Sequence, residues 1–218
     1  MARSVRPPAN HDDDFIVFLT TVVSHGAIVP ALIQLYRRRW TYEFVISVFA
    51  VFTSFMYHFC QAFHTELYLT ELQWHRLDNI GAISCFGLIF IHFCCFKRPE
   101  VDLGMKYFSL LLAILCQERY PWRIEFTVVP IAFFIAMPLV VHGLYHRARP
   151  PWDMKELAVG LMSLVVAIPF FVLGLDDDHD PFRVFHGMWH LMGGLAALHM
   201  WRVVKHHPSH PDREKPLL

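Results

Sequence analysis

Charge is scarce in this chain. Asp, Glu, Lys and Arg make up 17% of its 218 residues, against roughly 25% in an ordinary soluble domain. Gly-rich phosphate loops, internal repeats and low-complexity segments are absent, which leaves no ground for a P-loop nucleotide enzyme or a repeat array. Five cysteines do not make a disulfide framework. Cys60 and Cys116 fall near the same predicted helix ends, where a single bridge competes with the simpler reading of two buried thiols. Cys94 and Cys95 stand where palmitoylation occurs, though packing explains them equally well. Formal net charge is zero, so the total points to no partner. The basic residues fit topology better than a binding stripe, and no nucleic acid is expected.

What the chain has is apolar length: 55% of it is hydrophobic. A membrane helix needs roughly 20 mostly apolar residues. Seven stretches qualify, 15–36, 41–63, 77–96, 105–117, 124–146, 154–175 and 182–204, the fourth being short for a span. The prediction is an all-α membrane protein, a seven-transmembrane helix bundle over 15–204. A short polar segment, 1–14, precedes it and a polar cytosolic tail, 205–218, follows. Lys and Arg near span ends mark the cytoplasmic side. Thirteen fall on the side of Arg37–Arg39, Lys97, Arg147 and the tail, against six on the other. That asymmetry puts the N-terminus outside or in a lumen and the C-terminus in the cytosol. The first apolar stretch follows acidic residues and is too long for the apolar core of a cleavable signal. It reads as a span that also targets the chain to the plasma membrane or secretory endomembranes.

Polar groups inside these stretches are the chemical clue, because burying them in a membrane is costly. His186 and His190 stand four residues apart, and so do Ser54 and His58. On a helix that step puts both side chains on one face. With Asp78 opening the third span, all five residues reach the same leaflet depth. Three histidines are a standard catalytic zinc set, with the fourth position left to water. Zinc lowers the pKa of that water to about 7. Asp78 would then handle the proton, and Ser54 would steady the developing negative charge. Tyr57 and Trp189 are candidates for the surrounding wall. The membrane setting makes the substrate a lipid cleaved near its headgroup.

Each residue also has a bland reading. Asp78 could cap a helix, Ser54 could bond the preceding turn, and a lone interfacial His is more often packed than ligating. A rival trio, His92, His142 and His146, lies at the opposite face without a carboxylate or Ser. His64, His75, His206, His207 and His210 read as interfacial or tail residues.

The segments Ser54-Phe-Met-Tyr-His58-Phe-Cys60, Leu77-Asp78-Asn-Ile-Gly81 and His186-Gly-Met-Trp-His190 resemble the signature of the CREST superfamily of seven-helix membrane hydrolases. That group holds the alkaline ceramidases, the progestin and adipoQ receptors and the Per1 proteins. The nearest branch is the transmembrane protein 8 and myomaker family, which Tyr57-His58-Phe-Cys60, Leu72-Gln73 and the Glu118-Arg119-Tyr-Pro-Trp122 loop resemble. The resemblance covers about residues 15–204. It implies a zinc ion held by His58, His186 and His190, and hydrolysis of an acyl ester or amide in a phospholipid, GPI lipid or ceramide. The alternative is a non-catalytic myomaker-like membrane-remodelling or cell-fusion protein with structural zinc. The large extracellular part of longer transmembrane protein 8 members and the Cys-rich tail of vertebrate myomaker have no counterpart here.

Overall fold

The computed structural model describes residues 11–121, 123–147, 149–176 and 179–208. Most of the polar N-terminal segment, Trp122 of the branch-specific loop, and the tail from 209 onward lie outside them. All regular structure among the described residues is helical. The N-terminal rod begins as α1 (His11–Val17), passes through a π-helical turn (Phe18–Val22) and a 3₁₀ stretch (Val23–Ile28), and ends as α2 (Val29–Arg37). It is followed by α3 (Thr41–Ala62), α4 (Glu71–Phe93), α5 (Pro99–Arg119), α6 (Glu125–Val140), α7 (Met154–Leu173) and α8 (Val184–Met200). A second π-helical turn, Val141–His146, extends α6. It begins three residues after Pro138, an interior proline that removes a hydrogen bond from the helical ladder.

Five of these helices are long and apolar enough to cross a membrane: Asp13–Arg37, Thr41–Ala62, Glu71–Phe93, Glu125–His146 and Met154–Leu173. Their outward faces carry large apolar side chains, among them Val129, Leu139, Met162 and Val165, each more than half exposed or nearly so. A belt of that size is out of place in water and natural in lipid. The protein is an all-α, multi-pass membrane protein.

α4 is the central helix, packed along α3, α5 and α6, while α8 packs between α7 and the N-terminal rod. The centre of α4 is closely approached: a Cβ on Gly81 would lie 2.7 Å from the Ala50 Cα of α3. α4 begins at Glu71, six residues before the expected start of the third span, because Thr70 and Gln73 form a reciprocal capping box. Asp78 therefore does not open the helix. It stands two turns inside it, and its reading as a cap is withdrawn.

At the end where α4 and α8 finish, Trp40, Phe93, Trp201, Val203 and Val204 form a buried cluster. Residues 201–204 and the His207 side chain pack back into this end. Val203 O accepts from Asp153 N at 2.8 Å, and His207 is buried against His92, the two rings stacked 4.6 Å apart. Beside them Lys106 Nζ lies 2.5 Å from both Glu43 and Asp102, all three side chains nearly inaccessible. The five cysteines are free thiols, so Cys60 and Cys116 are not bridged.

Candidate metal centre

The expected site residues come from three elements. Ser54 and His58 lie on the second half of α3, Asp78 on α4, and His186 and His190 in the first two turns of α8. α8 starts where it does because the buried Asp180 carboxylate takes the amides of Val184 at 2.7 Å and His186 at 3.2 Å. That cap satisfies orphan donors of the first turn and fixes the backbone carrying His186.

The structure brings the histidines together and adds one the sequence reading passed over. The donor nitrogens of His25, His58 and His190 lie within 4.8 Å of one another. His186 joins through His58: their Nε2 atoms are 3.1 Å apart. Ring centres are 4.0 Å apart for His25 and His190 and 4.7 Å for His186 and His190. Two nitrogens sharing a tetrahedral ion at ordinary Zn–N lengths stand about 3.3 Å apart, so the His58–His186 separation suits two ligands of one ion.

Hydrogen bonds fix three of these rings with Nε2 inward. His25 Nδ1 is 2.7 Å from Thr21 O, and His190 Nδ1 is 3.1 Å from the same carbonyl. A carbonyl only accepts, so both Nδ1 atoms carry the proton and both Nε2 atoms offer a lone pair. Ser24 Oγ, which donates to Thr21 O at 2.7 Å, also lies 2.9 Å from His190 Nδ1. Thr21 stands where π-helical winding gives way to 3₁₀, and such interruptions free carbonyls from the ordinary helical ladder.

His58 is set from the other side. Its Nδ1 lies 3.2 Å from Gln61 Oε1, and that oxygen also accepts from Arg183 at 3.2 Å. Guanidinium only donates, which identifies the Gln61 atom as oxygen and makes His58 Nδ1 the donor. Arg183, buried and left-handed at φ 54°, is tied down in turn by Gly174 O at 2.9 Å. Metal-ligating histidines characteristically give their second N–H to an oxygen in this way. The donor set fits a divalent metal ion.

Of the accompanying residues, Ser54 of α3 lies beside the Asp78 carboxyl of α4. Ser54 stands one turn from His58 along α3. Tyr57 belongs to the surroundings, its ring 4.6 Å from that of His58 and its hydroxyl accepting from Gln61. Trp189 turns away and packs on Phe171 of α7. The rival trio does not converge. His142 Nε2 meets Phe93 O at 2.9 Å and His146 Nε2 meets Cys94 O at 3.3 Å, so both cap the end of α4, while His92 stacks on His207.

Sequence reasoning missed His25, Ser24, Gln61, Arg183 and Asp180. For His25 a signal existed: an ionisable group in the middle of the first apolar stretch. Gln61 was also readable, three residues after His58 and hence beside it on a helix.

Fold and centre together define a multi-pass helical membrane protein with a partly buried histidine cluster able to hold a metal ion. Residues 13–191 match the family model described as "Protein of unknown function (DUF3522)", and the chain belongs to that family. No curated protein matches it at a significant level.

Proposed function

We propose that this protein is a zinc-dependent intramembrane lipid hydrolase of the CREST type, nearest to the transmembrane protein 8 and myomaker branch. The observation that carries the reading is the pair of Nε2 atoms 3.1 Å apart on His58 and His186, with His190 on the same face of α8. The imidazoles of His58 and His190, each with Nδ1 engaged by an oxygen, are costly in a membrane and fit a ligand role. Zinc, when bound, supplies Lewis acidity and lowers the pKa of water toward 7.

The protein's own residues do the rest. His58, His186 and His190 hold the ion. Asp78 accepts and returns the proton at its carboxylate as an acyl ester or amide is cleaved, while Ser54, beside it, turns its single hydroxyl proton to the charge that develops on the carbonyl oxygen. Substrates are phospholipids, GPI lipids or ceramides. α5 and α8 complete seven spans in this reading, with the N-terminus outside or lumenal and the C-terminus cytosolic, in the plasma membrane or secretory endomembranes.

One observation favours the second reading, a non-catalytic membrane-remodelling protein with structural zinc. A fourth histidine, His25, stands at the centre, and structural zinc sites are closed. Metal content of the detergent-purified protein, beside a His186→Ala/His190→Ala variant, tests the common premise. The expected result is about one zinc per chain, lost in the variant. Asp78→Asn then separates the two readings: it keeps the metal and loses turnover of a phospholipid or ceramide on the order of 10²-fold or more. Full turnover in that variant ends the assigned role.

A further inference from the structure

His25 has no role in the three-histidine scheme. It comes from the N-terminal rod, yet its ring is nearest to His190 of α8, 4.0 Å between centres, and 5.6 Å from His58. Its Nδ1 is held by Thr21 O, with Val22 O a further 3.2 Å contact. Its Nε2 is buried and has no hydrogen-bond partner among the described residues. A lone pair kept from water without a donor is an unfavourable state for an imidazole, and a metal ion shared with His58 and His190 relieves it.

The rod is held in place to deliver that ring. The Thr20 carbonyl occupies the space a side chain on Gly187 would need, and a Cβ on Gly194 would lie 2.7 Å from the carbonyl of Ala27. These contacts seat the rod on α8 at two levels, with His25 and His190 between them. Inside the seated segment the backbone is wound as a π-helical turn, Phe18–Val22, then as 3₁₀ helix, Val23–Ile28. A 3₁₀ step turns about 120° against 100° in an α-helix. From Val23 to His25 the difference accumulates to about 40° around the rod axis. The irregular winding therefore sets where His25 points.

We propose that His25 is the fourth ligand of the metal centre, so that the centre is closed in the resting protein. The inference rests on the metal reading above and deepens it: lipid reaches the ion only after His25 leaves, and the 3₁₀ stretch is the segment whose rewinding moves it.

The full-length protein in detergent provides the test. X-ray absorption of the zinc-loaded protein should count four imidazole nitrogens, and three nitrogens with one oxygen would overturn the assignment. This measurement needs no variant, so it decides even where a substitution fails to fold. In cobalt-substituted protein, azide should leave the wild-type visible spectrum unchanged. His25→Ala should retain one cobalt per chain and shift its spectrum on adding azide, because the vacated position takes the anion. Equal azide responses in the two proteins count against His25. Wild-type protein that binds no metal brings down the metal reading itself, whereas metal in a site open to azide brings down only the fourth ligand.

Discussion

Replacing Lys106 by Met tests the buried ion cluster at the end of the bundle opposite the candidate metal centre. Lys106 is 2% exposed, and its Nζ lies 2.5 Å from Glu43 and 2.5 Å from Asp102. Met has nearly the same length and no branch, so the substitution changes charge rather than shape. It strands two buried carboxylates beside each other, with His207 3.8 Å from Asp102. Breaking a buried pair by removing one partner costs about 3–5 kcal/mol. For a chain of this length each kcal/mol moves Tm by about 2–4 °C, so the fall should be on the order of 10 °C at pH 7. The assay is thermal unfolding in detergent followed by circular dichroism. A triple variant, Glu43→Leu/Lys106→Met/Asp102→Leu, removes all three charges together. It should recover most of the loss, since apolar replacements of whole buried ion clusters are often neutral or stabilising. The reasoning fails if Lys106→Met stays within about 1 kcal/mol of wild type, or if the triple variant is as unstable as the single one.

Other consequences can be measured with equal directness. Gln61→Leu removes the acceptor that orients His58 Nδ1 and should weaken metal affinity about 10–100-fold with helix content intact; unchanged affinity in a zinc-competition titration would remove Gln61 from the centre. Gly194→Ala pushes a methyl into Ala27 and should cost about 1–3 kcal/mol, whereas Gly193→Ala, whose Cβ meets nothing within 4 Å, should gain up to about 1 kcal/mol from helix propensity. Similar unfolding midpoints for these two variants would contradict the seating of the rod on α8. At the start of α7, Lys205 and then the amides of Glu156 and Lys155 hold the Asp153 carboxyl below its ordinary value. A lowered folded-state pKa gives stability that is present in full above about pH 4 and fades as pH falls below it. Asp153→Asn should therefore show a shallower loss of stability than wild type on acidification, read by thermal unfolding across that range.

The helices were legible because a membrane-length apolar run has little else to become once its backbone must bond internally. Six of the seven expected stretches begin or end within about two residues of an observed helix boundary. The start of α4 was not, although Thr70 and Gln73 spell out its cap. Glu71 to Arg76 are polar enough to hide the helix from a hydropathy reading, and that shift is what misplaced Asp78 at a helix end. The pairing of His58 with His186 and His190 followed from four-residue spacing and shared depth, both of which are linear properties of a span. His25 shares that depth but has no partner at helical spacing. It reaches the centre only because α8 carries glycines where the rod crosses it and because the rod departs from α geometry just before the ring. Neither cause leaves a periodic trace. Regular helices thus made His58, His186 and His190 readable, and an irregular one brings His25 beside them. The catalytic and structural readings of this centre accordingly divide on the winding of Val23–Ile28 more than on the histidines first read from the sequence.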